Sequence, residues 1–129
     1  MKNKFNLFIL VLLLLPGFVY GCGPGIERFG DAPDESAAKT PIASILLSPQ
    51  KYLDKEVVVE GKISSECPSG CWMNVSDSSG GTIFVEMLGQ PFVPIPQRTG
   101  KNVAVKGTVY QGSGGSKEVK LTGKGLVIK

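Results

Sequence analysis

Cys71-Trp72-Met73-Asn74-Val75-Ser76-Asp77-Ser78-Ser79-Gly80-Gly81-Thr82-Ile83-Phe84-Val85-Glu86 is the stretch whose reading decides the fold. Cys71, Met73 and Val75 alternate with Trp72, Asn74 and Ser76, and Ile83, Val85 and Met87 alternate with Thr82, Phe84 and Glu86. A period of two is the mark of a strand with one buried face. Between the runs, Asp77-Ser78-Ser79-Gly80-Gly81 supplies residues that bond their own backbone or accept unusual dihedrals, which is turn chemistry. The stretch is therefore a hairpin, with Trp72 and Phe84 on the face opposite the aliphatic set.

The same period extends outward in both directions. Upstream, Pro68-Ser69-Gly70 is a turn, and before it Val57, Val59, Gly61 and Ile63 face one way while Val58, Glu60 and Lys62 face the other. Downstream, Leu88 to Gly100 carries Pro91, Pro94 and Pro96 and is too proline-rich for a helix or a central strand. Val103, Val105, Gly107 and Val109 form the next inward set, and Gln111 to Ser116 is a Gly/Ser turn. A last strand opens at Val119 and Leu121 and resumes at Leu126, Val127 and Ile128, with Gly123 and Gly125 marking a bulge or bend. One short helix is expected before the strands, with Thr40 as N-cap, Pro41 at its first position, Ile42, Ile45 and Leu46 on one face, and Ser48-Pro49 as its end.

Five strands with one long connection between the third and fourth predict an all-β fold, a five-stranded OB-fold-like Greek-key barrel. The segments "VVVEGKI", "CWMNVSDSSGGTIFV" and "GKNVAVKGTV", from Glu56 to Val109, resemble bacterial OB-fold domains. More narrowly, Cys67 with Gly70-Cys71-Trp72-Met73 resembles an uncharacterised family of exported bacterial OB-fold domains with a Cys…Gly-Cys-Trp-Met motif. The resemblance runs from about Leu47 to the C-terminus. It implies the fold and an exported setting, and that family has no settled activity to carry over.

The leader points to export independently. Lys2 and Lys4 precede an apolar run from Phe5 to Leu15, broken by Asn6 and ended by Pro16-Gly17. A spanning helix needs roughly 20 apolar residues, so the run reads as a cleaved signal peptide over residues 1–21. Val19-Tyr20-Gly21-Cys22 resembles the bacterial lipobox, which implies that Cys22 is lipidated and becomes the mature N-terminus. Tyr20 is larger than that motif usually carries, and cleavage after Gly21 without lipidation is the rival. Residues 22–39, rich in Gly, Pro, Asp, Ser and Ala, are expected to be a flexible tether, and residues 40–129 the barrel domain. The expected location is a membrane-anchored lipoprotein facing the periplasm or the cell exterior.

Composition narrows the chemistry. The net charge is +3 at pH 7 and histidine is absent, which removes the commonest general base and the commonest metal ligand. The basic excess is too thin for a phosphate-binding stripe. No nucleophile–base pair stands out, so the protein is expected not to be an enzyme.

Two groups of residues remain as candidates. Cys67 and Cys71 lie across the first hairpin, where a disulfide pinning the turn would suit an oxidising compartment. The same pair with Met73 would otherwise suit Cu(I) or another soft metal, or act as a redox dithiol. Trp72 and Phe84, with Asn74 and Lys62, form a possible ligand face, since the outer face of the second and third strands is the usual platform in OB-folds. The bland alternative is that both rings are covered by the proline-rich loop or the N-terminal helix. The expected function is therefore a non-enzymatic binding module of the cell envelope, attached to the membrane by lipid. It would be a monomer and take a small ligand, a metal or an envelope protein as partner. Single-stranded nucleic-acid binding and soft-metal or thiol-redox handling are the alternatives, with export arguing against nucleic acid.

Overall fold

The computed structural model describes residues 25–88, 94–113 and 117–129. The leader, Cys22, Pro91 and the second half of the expected Gly/Ser turn lie outside the described residues. The elements are β1 (Glu27–Gly30), α1 (Ile42–Leu47), a 3-10 turn (Pro49–Lys51), β2 (Glu56–Glu66), β3 (Trp72–Ser76), β4 (Thr82–Glu86), β5 (Asn102–Gln111) and β6 (Val119–Ile128).

β2, β3, β4, β6 and β5 pair in that circular order, and β5 returns to β2, so the five strands form a closed barrel. Closure runs through one parallel contact, β4 with β6, and every other pairing is antiparallel. This is the OB-fold-like Greek-key barrel the strand pattern predicts. Two irregularities bend the sheet into a tube. β2 shifts register between Ile63 and Ser65, leaving its first half for β5 and its second half for β3. The β5–β6 ladder shifts between Lys106 and Gly107, where Gly123 and Gly125 stand opposite, as the glycine pattern suggests.

The inward residues are those that the alternation selects. Val59, Met73, Val75, Val85, Val105, Val109, Leu121 and Leu126 have no exposed surface at all. Gly123 is needed where β6 crosses this core, because a Cβ there would come within 2.2 Å of the Met87 sulfur. Each end of β3 sits beside an aliphatic plug. Ile95, from the proline-rich connection, packs into the core beside Gly70, whose missing Cβ leaves room for the Ile95 backbone. At the other end Ile42 and Ile45 of α1 are fully buried beside Gly81. Six residues cannot hold a helix alone, and burying each of these isoleucines contributes about 1.5–3 kcal/mol.

Two expectations are corrected. The cap of α1 is not the Thr40 side chain: Pro41 occupies the cap position and makes no side-chain hydrogen bond. The first free N–H groups of the helix instead donate to the β3–β4 turn, Ile42 N to Asp77 Oδ2 at 2.8 Å and Ala43 N to Ser79 Oγ at 3.0 Å. Thr40 is drawn into the sheet, its N–H donating to the Val58 carbonyl at 2.8 Å.

The second correction concerns the segment read as a tether up to Lys39. Glu27–Gly30 is a strand, paired antiparallel with the Gly125–Ile128 end of β6, and Phe29 packs on the core. The following residues cross the outside of the barrel. Pro33, Asp34, Glu35 and Lys39 line a crevice with Ala104 and Val127, and Lys106 pairs with Asp31 at 2.9 Å. Val58, Ala104 and Val127 point outward by alternation yet are buried. The physical reason is local: Gly125 has no Cβ, and one placed there would strike the Asp31 backbone at 2.1 Å. Low hydropathy alone hides such a segment, because it is held by backbone pairing and a few apolar contacts.

Candidate ligand platform

The strand registers lay the outward residues of the barrel in rows. In the central row Tyr110 of β5 stands beside Lys120 of β6, Lys120 beside Phe84 of β4, Phe84 beside Asn74 of β3, and Asn74 beside Ser65 of β2. One row above, Thr122 pairs with Glu86 and Glu86 with Trp72. One row below, Thr82 pairs with Ser76 and Ser76 with Lys62.

Side-chain contacts tie these rows together. The Trp72 and Phe84 rings stack with centroids 5.5 Å apart and planes at 27°. Lys120 Nζ stands 4.9 Å from the Phe84 centroid, a cation–π contact worth about 0.5–1 kcal/mol at a partly exposed site. Tyr110 donates its hydroxyl to Glu86 Oε2 at 2.8 Å, and Asn74 Nδ2 donates to Ser65 Oγ at 2.9 Å. Burial first, and then the Glu86 carboxylate, push the Tyr110 phenol up to about 12, so it keeps its proton at neutral pH. Trp72, Phe84, Glu86, Tyr110 and Lys120 are all half-buried. Between them they present aromatic surface with polar groups on two sides.

Trp72, Asn74 and Phe84 are thus brought together as the alternation anticipates. Lys62 sits a row away, opposite Ser76, where it lines a separate surface hollow of about 510 Å³ with Glu60, Asp77, Asn102 and Lys129. Sequence reasoning missed Lys120 and Tyr110, neither of which it singled out. Their signal is topological: in a barrel of this order the last strand runs beside the third, which puts Lys120 next to Phe84.

The platform is anchored at the β2–β3 turn. Cys67 and Cys71 form a disulfide, with Cα atoms 5.7 Å apart. Gly70 N donates to the Cys67 carbonyl at 2.9 Å, Cys67 N to the Trp72 carbonyl at 3.0 Å, and Met87 N to the Cys71 carbonyl at 2.9 Å. Gly70 adopts φ 75°, a left-handed conformation open to glycine. Met73 points the other way, fully inside the core. A soft metal held by the two sulfurs would therefore require the reduced chain, and Met73 would have to leave the barrel interior. Among the described residues no group of three or more Cys, Asp or Glu converges in a metal-ligating arrangement.

Near the same end of the barrel, Glu66 Oε1 accepts from Arg98 N at 2.5 Å, Thr99 N at 2.6 Å and Thr99 Oγ1 at 2.7 Å. Arg98 in turn grips both carboxylate oxygens of Glu27 at 2.9 Å. This chain of bonds links the proline-rich connection to β2 and β1.

With this geometry in view, comparison with known proteins bears on the fold. No family model matches the chain, and no curated protein matches it. Among solved structures it is similar to a protein described as an aspartyl-tRNA synthetase from Leishmania major Friedlin, with a TM-score of 0.53 and 18% identity. The match covers 81% of this chain and 22% of that one. What the two share is the fold.

Proposed function

We propose that this protein is an exported, lipid-anchored and non-enzymatic binding module that holds its ligand on the Trp72–Phe84 platform. The observation that carries this reading is the stacked aromatic pair on the outer face of β3 and β4, flanked by Lys120, Glu86 and Asn74. Partly exposed aromatic surface with fixed polar neighbours is what a recognition site requires. The leader and Cys22 support the location. Among the described residues no helix is long and apolar enough to cross a membrane.

Both halves of the reading are testable. Cys22→Ala should abolish incorporation of labelled palmitate in a bacterial host, and unchanged labelling would refute the anchor. Trp72 is the chain's single tryptophan, so its emission reports on the platform directly. Titrated with neutral oligosaccharides, oligothymidylate and tetralysine, it should respond saturably to one of these classes. Silence toward all three would refute the platform.

A further inference from the structure

We infer that the barrel stands on the membrane by one defined end, the end at which β1 begins, with Lys62, Lys101 and Lys129 set against anionic lipid headgroups; this rests on the lipidation of Cys22 proposed above.

The first support is the length of chain between lipid and fold. Composition reads residues 22–39 as a tether, but Glu27, five residues after Cys22, is already paired with Ile128 in the sheet. Fully extended, that span reaches at most about 18 Å. Acyl chains on Cys22 would lie in the hydrocarbon, and the headgroup layer above it takes up roughly 5–8 Å. Glu27 is then held within roughly 10–13 Å of the headgroup surface, little more than one Debye length at physiological salt. The barrel is longer than this leash, since β5 rises about 30 Å from Asn102 to Gln111. A barrel resting on its far end, with Glu27 raised away from the membrane, is therefore excluded while β1 stays in the sheet.

The second is the charge at the β1 end. Lys129 follows Ile128 and donates its backbone N–H to the Asn102 carbonyl at 2.9 Å, and Lys62 stands opposite Asn102 in the β2–β5 register. Lys101 precedes Asn102, its N–H donating to the Arg98 carbonyl at 3.0 Å. All three lysines are exposed. The carboxylates around them are already engaged. Arg98 grips Glu27, the Arg98 and Thr99 N–H groups and the Thr99 hydroxyl donate to Glu66, and Glu60 lies 3.8 Å from Lys129 and 4.0 Å from Lys39. Asp77, which lines the hollow shared by Lys62 and Lys129, accepts from Ile42 N. The Arg98 hydrogen bond above all, with the charges of Arg98 and Lys101 adding to it against burial, holds the Glu27 carboxyl below its usual 4.5. What this end offers outward is cationic, which matches an anionic headgroup layer.

The third is what lies beside and opposite these lysines. Ile26, by which the chain leaves the sheet toward Cys22, is 47% exposed, and an apolar side chain among lysines suits the headgroup boundary. Tyr110 and its neighbour Lys120 lie near the other end of β5, roughly 25 Å along the strand from Asn102. That side of the ligand platform stays open to solvent when the β1 end faces the bilayer.

The experiment places the lipidated chain in phosphatidylglycerol vesicles and acetylates its lysines with a membrane-impermeant active ester, reading the rate at each lysine by peptide mass spectrometry. Lys117, whose carbonyl is held by Gln111 at the far end of β5, is the internal reference. The comparison is a variant with about twenty Gly/Ser residues inserted between Gly25 and Ile26, which lengthens the leash by roughly 25 Å. Relative to Lys117, Lys101 and Lys129 should react about fivefold more slowly in the wild type than in the variant, the scale of one lysine held at an anionic surface. A roughly tenfold rise in salt should remove most of that slowing. Equal relative rates in the two chains, both still floating with the vesicles, would overturn the orientation and leave the anchor standing. Slowing that persists in high salt would overturn headgroups as the partner and point to a second copy of the chain on this face. A wild-type chain that carries no lipid and fails to float would overturn the anchor and the orientation together.

Discussion

The barrel has two outer faces built by the same alternation, and they have opposite fates. On β2, β5 and β6 the outward residues Val58, Ala104 and Val127 are buried, next to the segment that runs from Asp31 to Thr40. On β3, β4 and the start of β6 the outward residues Trp72, Phe84 and Lys120 touch one another and stay half-exposed. Small aliphatic side chains let a backbone lie flat on the first face. Large rings with polar neighbours hold a shape of their own on the second. Outward position in a strand is therefore not enough to assign a role, and what lies over the residue decides between packing and recognition.

The largest effect should come from putting a charge on the covered face. Val127→Asp would bury a carboxylate with no partner and should cost about 3–5 kcal/mol, whereas Asn74→Asp on the open face should stay within about 1 kcal/mol. Urea unfolding of the two variants makes the comparison. Gly125→Ala comes next, because its Cβ would meet the Asp31 backbone. A cost of about 1–3 kcal/mol is expected, with β1 and the segment up to Thr40 becoming sensitive to protease while the five-stranded barrel persists. Resistance equal to wild type would show that the contact yields cheaply.

Replacing both Cys67 and Cys71 by Ser should lower stability by about 2 kcal/mol or less, since closing so short a loop removes little chain entropy. The loss should concentrate at the β2–β3 turn, visible as faster amide exchange at Gly70 and Trp72 and little change at β6. The smallest effect should be at the α1 cap. Asp77→Asn should cost about 1 kcal/mol. Burial works to raise the Asp77 pKa, but hydrogen bonds from Ile42, Ser79 and Gly81 outweigh it and hold the carboxyl below its usual 3.8. A depressed carboxyl stabilises the fold at pH above that ordinary value, and the contribution fades as pH falls through the folded-state value. Acid should therefore loosen α1 in the wild type, and the pH dependence of its amide exchange should flatten in Asp77→Asn.

Much of this architecture is legible in the sequence because strands with one buried face write their period plainly. The Val57–Ile63, Met73–Val75, Ile83–Met87 and Val103–Val109 sets all face inward as the alternation predicts. So is half of the platform, since Trp72, Asn74 and Phe84 follow from the same parity. What is not legible depends on contacts between distant residues. Asp77 reads as a turn-former, and it does accept from Ser79 N at 3.0 Å, but nothing nearby indicates that it also caps a helix 35 residues earlier. The β1 strand is four residues of mixed polarity, ERFG, with too short a period to detect. Lys120 and Tyr110 join the site through the parallel β4–β6 contact and its β5 neighbour, which depend on how the barrel closes.

The most direct test of the account is the unfolding free energy of Trp72→Ala, measured by urea denaturation followed by far-ultraviolet circular dichroism. If the ring belongs to a half-exposed recognition face, the loss should be about 1–2 kcal/mol, chiefly the stacking on Phe84 and a modest buried area. A loss of about 3–5 kcal/mol, the range for deleting a buried aromatic, would mean that Trp72 is part of the packed structure and would contradict the division of the barrel into a covered face and a binding face.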